Sequence, residues 1–544
     1  MKKTITVLSL FIAGFLQAQP AARPKLVVGV VVDQMRWDFL YRFYDRYGAG
    51  GFKRMLGEGF SCENTFIPFV PTYTAPGHAC IYTGSVPSLN GIVGNNWYDK
   101  YTRQVVYCTD DSTVSGVGTS SQAGEMSPRN MWSTTITDEL RMSTNFRSKT
   151  IGIALKDRGS ILPAGHTANA AYWFDDGSGG WISSTYYMQK LPSWMEKFNA
   201  RKLPEGYMAK NWNTLHPIDS YIQSTPDARP YEGVFPGGTT SFIHKTDTIR
   251  GTARSSVFRV TPYGNTYTVD AAKAAIEGEN LGGRGVPDFL AVSFSSPDYI
   301  GHTFGPNSIE IEDTYLRLDR DMADFLTYLD GKVGKGQYLL FLTADHAVAH
   351  VPGFGAENRI PGGAANANAM QKTLNDALQK EFGNGTYIQT IINHQVFLNN
   401  DHISQSKKLN RDAIKRVIMQ TLLTVPGVDK AVDLENMAGA NLPSQVHMML
   451  NNGYNQKLSG DIQFVYRPQW FENFGRGTTH GSWNPYDSHI PLLWFGWGVK
   501  QGKTNREVYM TDIAPTVAAL LQIQMPNASI GKVIEEVTNL KPNP

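Results

Sequence analysis

The sequence has few cysteines, few charged residues and only one long hydrophobic run, and each shortage excludes a class of protein. Three cysteines among 544 residues are too few for a disulfide scaffold. Charged residues make up 18% of the chain, below the roughly 25% of an ordinary globular protein, which excludes a disordered chain or a long coiled coil. Beyond the N-terminal segment, no hydrophobic run is long enough to cross a bilayer about 30 Å thick.

The first 18 residues have the features of a cleaved secretory signal. Lys2 and Lys3 precede an apolar stretch, residues 5–16, which is followed by the small residue Ala18. This stretch is too short to span a membrane, and no cysteine follows it that would carry a lipid anchor. We therefore predict a signal peptide over residues 1–18 and export to the periplasm or the extracellular space. The mature chain, residues 19–544, is predicted not to associate with a membrane.

The mature chain carries no net charge that would attract a polyanion. Without Lys2 and Lys3 it has 48 basic residues (50 − 2) against 48 acidic ones, so nucleic-acid binding by bulk charge is not predicted. In an oxidising compartment Cys62, Cys80 and Cys108 can form one disulfide and leave one thiol, and the sequence leaves the pairing open. The oligomeric state is equally open, and a monomer is compatible with the sequence.

Apolar, β-branched runs alternate with amphipathic helical patterns along the chain. The runs that resemble buried parallel strands are Lys25–Val32, Thr150–Leu155, Phe289–Phe294, Tyr338–Thr343 and Ile490–Phe495. Helices are predicted over Asn307–Leu329 and from Asp512 to Leu521. This alternation predicts an α/β fold with a doubly wound, mostly parallel central sheet flanked by helices. Two stretches that break the alternation, about 160–285 and about 355–470, are interpreted as insertions into one catalytic domain, residues 19–544.

Metal-ligand side chains follow three of these strands. Asp33 ends the first run, Asp345 and His346 follow another, and Asp298 lies shortly after a third, with His302 four residues later. Because ligands bind beyond the carboxyl ends of the strands in an open α/β sheet, we expect these groups to lie at one edge. Carboxylates and imidazoles are suitable Zn²⁺ ligands, and two neighbouring clusters can hold two ions.

One further histidine and one hydroxyl complete the candidate site. His480 lies in a glycine-bounded loop, whereas His489 adjoins an apolar strand and is interpreted as a packed residue. Thr74 precedes a predicted helix with Pro76 in its first turn. A hydroxyl at a helix N-terminus meets the positive end of the helix dipole, and a neighbouring metal ion can make it a nucleophile.

As a set and in this order, these residues and their flanking motifs resemble the alkaline phosphatase superfamily. The resemblance is strongest to bacterial secreted, phosphate-irrepressible alkaline phosphatases that use a threonine nucleophile. The motifs, given as residue ranges of this chain, are Asp33, 71–78, 82–87, 94–99, 156–158, 298–302, 344–346 and 479–480. Together they extend over nearly the whole mature chain.

The resemblance implies a binuclear zinc enzyme that hydrolyses small-molecule phosphate monoesters through a phospho-threonine intermediate on Thr74. It also implies that Asn95, Lys156 and Arg158 bind the phosphoryl group. Of the two Zn²⁺ ions per chain, one is implied to bind Asp298, His302 and His480, and the other Asp33, Asp345, His346 and Thr74.

Three alternatives are compared with this interpretation. A sulfatase needs a modified Cys or Ser before x-Pro-x-Arg, whereas Cys80 is followed by Ile-Tyr-Thr, so this alternative is disfavoured. A nucleotide pyrophosphatase or phosphodiesterase of the same superfamily would use the same metal ligands and Thr74. A non-catalytic protein that binds zinc or phosphate would need no nucleophile. The ligand types favour zinc, although Mn²⁺ or Co²⁺ can occupy such sites.

Overall fold

The computed structural model describes residues 23–236, 238–472 and 475–538, and its largest element is an 11-stranded sheet. The predicted signal peptide, residues 1–18, lies outside the described residues. In chain order the strands of this sheet are β1 (Leu26–Val32), β2 (Phe60–Phe66), β3 (Gly116–Val117), β4 (Thr150–Ala154), β5 (Ala170–Asp175), β6 (Gly180–Ser184), β7 (Asp288–Phe294), β8 (Tyr338–Thr343), β9 (His489–Ile490), β10 (Leu492–Gly496) and β11 (Gly502–Tyr509).

The middle of the sheet is parallel, and its margins are antiparallel except for β11, which pairs parallel with β2. The strand order is β9-β2-β10-β8-β1-β7-β4-β5-β6-β3, with β11 paired to β2. Strands β8, β1, β7, β4 and β5 run parallel to one another. Every residue of β1 is buried, because a central parallel strand is covered on both faces. The predicted fold class, a doubly wound and mostly parallel α/β sheet, is confirmed.

The last predicted strand differs from the others. The run Ile490–Phe495 forms two strands, β9 and β10, separated by Pro491. Proline has no N–H to donate to a neighbouring strand, so it interrupts the hydrogen-bond ladder. Strand β10 pairs antiparallel with β8, with Leu342 opposite Leu493. An apolar run therefore indicated burial correctly but not strand direction.

Helices flank the sheet. Some of them form in the segments that the sequence predicted, and others form in segments that it did not. The helices of eight or more residues are Thr74–Thr83, Ile136–Ser143, Asp157–Ala164, Ser193–Ala200, Tyr263–Glu279, Ser296–Phe304, Ile309–Leu329, Ala367–Phe382, Arg411–Leu422, Ser444–Gly453 and Ile513–Leu521. The shorter helices are Phe39–Arg42, Phe52–Glu58, Pro87–Asn90, Leu203–Met208, Ala253–Phe258, Pro352–Glu357, Asn400–Ser404, Pro485–Ser488 and Glu535–Thr538.

The long helix predicted from Asn307 begins two residues later because Ser308 caps it. The Ser308 Oγ accepts a hydrogen bond from the Ile311 N–H at 3.3 Å, which satisfies one of the donors that a helix N-terminus leaves without a partner. The apolar residues on one face of this helix, including Tyr315 and Met322, are buried.

The stretch interpreted as the second insertion forms a separate small layer. Its four-stranded antiparallel sheet consists of Ile388–Ile392, Gln395–Leu398, Ile462–Tyr466 and Val428–Asp433. Two of the long helices pack on it around a hydrophobic cluster of their own. Within the first predicted insertion, 160–285, strands β5 and β6 belong to the central sheet. The structure also has two two-stranded sheets. One pairs Gly363–Ala365 with Trp470–Glu472, and the other pairs Asn96–Tyr98 with Val105–Tyr107.

Two further features concern the cysteines and the helices. Cys62, Cys80 and Cys108 are free and buried, so none of the possible disulfides is formed. In the described part of the chain, no helix combines the length and the apolar character needed to cross a membrane.

Candidate metal centre and active site

The candidate ligands lie where parallel strands end. Asp33 directly follows β1, and Asp345 and His346 come just after β8. Asp298 lies in the first turn of the helix Ser296–Phe304, which follows β7. Since β8, β1 and β7 are adjacent and parallel, their carboxyl ends deliver these side chains to one edge of the sheet.

The first predicted group is compact and buried. One ligand atom each of Asp33, Asp345 and His346 lies within 4.8 Å of the others. His346 Nε2 is 3.5 Å from Asp33 Oδ1 and 3.5 Å from Asp345 Oδ2. The hydroxyl of Thr74 is 3.4 Å from the same nitrogen. Thr74 was predicted just before a helix and is instead the first residue of the helix Thr74–Thr83.

The second predicted group adjoins the first. Asp298 Oδ1 is 3.1 Å from His302 Nε2 and 3.7 Å from His480 Nε2. The rings of His480 and His346 stack with centroids 3.5 Å apart, and Asp298, His346 and His480 also form a compact set. His346 therefore lies between the two groups, and His302 lies at the more accessible margin with 35% of its side chain exposed.

The three imidazoles are oriented by backbone carbonyl groups. His302 Nδ1 donates to the Thr478 carbonyl at 2.8 Å, and His480 Nδ1 donates to the Thr72 carbonyl at 2.7 Å. His346 Nδ1 donates to the next carbonyl in the chain at 3.0 Å. A carbonyl can only accept, so each Nδ1 carries the proton. Metal-binding histidines are oriented in this way, with Nε2 free to coordinate.

The charges of the site favour bound cations. Burial lowers the pKa of His346, and burial with the neighbouring imidazoles lowers the pKa of His480 well below its ordinary value. Both rings therefore favour the neutral form, in which Nε2 keeps a lone pair. Burial and the Asp345 carboxylate raise the pKa of Asp33 well above its usual range. Asp33 Oδ1 is buried and has no hydrogen-bond donor among the described residues, so the donor set fits metal ions.

Lys156 lies between the two groups of candidate metal ligands. Its Nζ is 2.7 Å from Asp33 Oδ2 and 2.5 Å from Asp298 Oδ2. Burial raises the pKa of Asp298, but the Lys156 ammonium and the His302 ring outweigh this and bring it well below its usual range. The ammonium thus offsets part of the negative charge that the three buried aspartates introduce.

Asn95 and Arg158 lie beside the Thr74 helix and the end of β4, respectively. The Ala75 N–H donates to Asn95 Oδ1 at 2.9 Å, so the Asn95 Nδ2 donors take no part in this hydrogen bond. Arg158 is in the first turn of the helix Asp157–Ala164. Its Nη1 donates to the Tyr107 hydroxyl at 3.0 Å.

Two residues of the site were not predicted. His78, one turn after Thr74, donates from Nδ1 to the Thr74 carbonyl at 2.9 Å, and its Nδ1 is 3.3 Å from Asp345 Oδ2. Gln34, directly after Asp33, donates from Nε2 to Asp298 Oδ1 at 2.7 Å. The i, i+4 spacing of Thr74 and His78 was the available signal for the first, and no local pattern marks Gln34.

Comparisons with known proteins show which family the chain is similar to. Residues 27–488 match the family of type I phosphodiesterases and nucleotide pyrophosphatases. The chain is 54% identical over 519 residues to alkaline phosphatase PhoV of Synechococcus elongatus, covering 95% of this chain and 94% of that protein. It is 51% identical over 538 residues to a Myroides odoratus protein named calcium-transporting ATPase, covering 98% of each.

The third relative has a known structure. Alkaline phosphatase PafA of Elizabethkingia meningoseptica is 49% identical over 534 residues, covering 97% of each chain. The crystal structure of wild-type PafA superposes with a TM-score of 0.93 at 49% identity, covering 96% of this chain and 100% of that chain. The chain therefore belongs to the alkaline phosphatase superfamily, as its motifs predicted, and within it to the family of type I phosphodiesterases and nucleotide pyrophosphatases.

Proposed function

We propose that this chain is an exported alkaline phosphatase that hydrolyses phosphate monoesters through a phospho-threonine on Thr74. The observation that carries the proposal is the position of the Thr74 hydroxyl, 3.4 Å from His346 Nε2 in a buried metal-ligand group and at the N-terminus of a helix. PhoV and PafA, which are about half identical to this chain over nearly its whole length, are named alkaline phosphatases. Residues 1–18 are the proposed export signal.

The proposed cofactor is a pair of zinc ions. Asp33, Asp345 and His346, with Thr74, would hold one, and Asp298, His302 and His480 the other. The nitrogen and carboxylate donors of both groups suit zinc. Bound zinc supplies positive charge that lowers the pKa of a hydroxyl and stabilises phosphoryl oxygens.

The chain supplies the nucleophile and the groups that hold the substrate. Thr74 Oγ1 forms a bond to phosphorus while the ester P–O bond breaks, and the alcohol leaves. Water then breaks the bond between Thr74 and phosphorus and releases inorganic phosphate. The helix N-terminus, the amide of Asn95 and the guanidinium of Arg158 favour the negative oxygens. Catalysis of this kind depends on positioning and charge stabilisation.

Positive charge near the site supports a monoester substrate over a diester. A phosphate monoester dianion carries one more negative charge than a diester, and Lys156 and Arg158 both lie at the end of β4. The second candidate function is a phosphodiesterase, which the name of the matched family favours. It would need a pocket for the second ester group. A protein that only binds zinc or phosphate would not need Thr74 beside the ligands.

Phosphate release by the purified mature chain tests the proposal. We expect 4-nitrophenyl phosphate to be hydrolysed faster than its methyl diester, with activity lost on chelation and restored by Zn²⁺. Thr74→Ala should remove nearly all turnover and leave the zinc content unchanged. The control is Thr83→Ala on the same helix, whose hydroxyl donates to the Ala79 carbonyl and accepts from the Ser85 N–H.

Two results would contradict the proposal. Full turnover in Thr74→Ala would exclude the covalent intermediate. A strong preference for the diester would favour the phosphodiesterase instead.

A further inference from the structure

A short series of hydrogen bonds connects Arg158 and Asp157 with Tyr107 and Thr109, which lie far away in the sequence. Arg158 Nη1 donates to the Tyr107 hydroxyl at 3.0 Å, and this hydroxyl donates to Asp157 Oδ1 at 2.8 Å. The second oxygen of Asp157 accepts a hydrogen bond from Thr109 Oγ1 at 2.5 Å. Both carboxylate oxygens and the phenol therefore have fixed partners, and the guanidinium is tied to a carboxylate through one hydroxyl.

The segment that contains Tyr107 also contacts Asn95. Tyr107 is the last residue of the strand Val105–Tyr107, and the next residue, Cys108, donates its N–H to the Asn95 carbonyl at 3.0 Å. The strand pairs with Asn96–Tyr98 directly after Asn95. Two residues proposed to bind phosphoryl oxygens are therefore linked to one β-hairpin.

The arrangement leaves Arg158 with donors for a ligand. Its Nε is buried and has no hydrogen-bond partner among the described residues. A guanidinium has five N–H donors in a rigid planar fork, so one contact through Nη1 limits its rotation without using the others. Burial raises the pKa of Tyr107 well above its ordinary value, so the phenol keeps the proton that it donates to Asp157 under alkaline conditions.

We propose that Tyr107 is a positioning residue for recognition of the phosphate dianion, because it links Arg158 to the Asp157 carboxylate. This inference rests on the proposed function, since it assigns to Tyr107 a share in the preference for monoesters. Tyr107 does not contact the substrate in this role. Its hydroxyl orients the Arg158 fork, and Thr109 holds the carboxylate at the far end of the chain of hydrogen bonds.

Kinetics of four variants test the inference. Tyr107→Phe removes one hydroxyl and keeps the ring, and Tyr98→Phe makes the same change on the paired strand as the control. Arg158→Ala and the double variant Tyr107→Phe/Arg158→Ala complete a cycle. Each is assayed with 4-nitrophenyl phosphate, its methyl diester and inorganic phosphate as inhibitor, after its thermal unfolding is compared with that of the wild type.

We expect Tyr107→Phe to lower kcat/KM for the monoester roughly tenfold, the size expected when a hydrogen bond to a charged group is lost. Inorganic phosphate should bind more weakly, and the diester rate should change by less than about threefold. In the Arg158→Ala background the same substitution should have almost no further effect, because the two residues act together. Tyr98→Phe should behave as the wild type does.

Equal losses for the monoester and the diester, or losses that are additive with Arg158→Ala, would overturn the role of Tyr107. These outcomes differ from failure of the proposed function, in which the wild type itself would lack monoesterase activity or Thr74→Ala would retain it. A stability loss in Tyr107→Phe would not by itself change the ratio of monoester to diester rates, so that ratio separates positioning from folding.

Discussion

At the scale of single residues, the same side chain has different roles in different surroundings. His480 and His489 are close in sequence but differ in their surroundings, and His480 lies beside the buried carboxylate of Asp298. The ring of His489 is stacked between Trp37 and Phe66, with centroid distances of 4.8 and 4.7 Å. His489 is therefore a packed residue, as predicted, and its proximity to the site in sequence is not a sign of metal binding.

Substitution of these two histidines should separate metal binding from packing. We expect His480→Ala to lose about one zinc ion per chain and most activity. His489→Ala should keep both ions and lower the free energy of unfolding by about 1–3 kcal/mol, because two ring contacts and the hydrogen bond to the Glu63 carbonyl are lost. Metal analysis and urea unfolding of both variants measure this. Loss of zinc from His489→Ala would contradict it.

At the scale of elements, one glycine lets the nucleophile helix approach the metal-ligand loop. A Cβ at Gly77 would lie 2.3 Å from the Asp345 carbonyl oxygen and 2.7 Å from the Asp345 Cβ. Neither neighbour is a flexible side-chain end, so a larger residue would push the helix Thr74–Thr83 away from the end of β8. The spacing of Thr74 and His346 therefore depends on the absence of a side chain one turn along the helix.

Gly77→Ala should reduce both stability and activity. Overpacking of this size costs about 1–3 kcal/mol, and displacement of Thr74 should lower kcat for the monoester. The matched control is Gly57→Ala in the helix Phe52–Glu58, where an added Cβ would meet nothing within 4 Å. It should be neutral or stabilising because alanine favours a helix over glycine. Unfolding measurements and kinetics of both variants test this prediction. Full activity in Gly77→Ala would show that the helix can move without affecting turnover.

At the scale of the whole molecule, buried charge extends beyond the active site. Glu232, from the stretch 160–285, lies beside Glu310 on the long helix, and both side chains are buried. His244 Nε2 is 2.9 Å from Glu310 Oε1. Burial and the Glu310 carboxylate raise the pKa of Glu232 to about 9, and the Arg229 N–H and guanidinium oppose this. The folded chain therefore keeps a proton here that the unfolded chain releases.

This cluster predicts a pH dependence of stability. Between the ordinary value of 4.5 and about 9, the folded state binds more protons than the unfolded state at Glu232. Stability contributed here is thus complete below pH 4.5 and decreases as the pH rises towards 9. Glu232→Gln should remove this decrease, so its stability relative to the wild type should grow from pH 5 to pH 9. Urea unfolding at three pH values measures the difference, and parallel curves would contradict the assignment.

The local sequence determined four of the five parallel strands, the long helix and most of the candidate site. Continuous apolar runs indicate burial on both faces of a sheet, and the carboxyl ends of adjacent parallel strands must meet at one edge. Asp33, Asp298, Asp345 and His346 could therefore be placed together before any distance was known. The sequence motifs also identified the superfamily, because their residue types and order are specific as a set.

Only the tertiary structure decided how these groups interact. The position of Lys156 between Asp33 and Asp298, and the contact of Arg158 with Tyr107, join residues that are far apart in the chain. The split of the last strand at Pro491 and its antiparallel pairing depend on its neighbours in the sheet. Such contacts arise from side-chain packing between elements, and local propensity and periodicity carry no information about which distant surfaces meet.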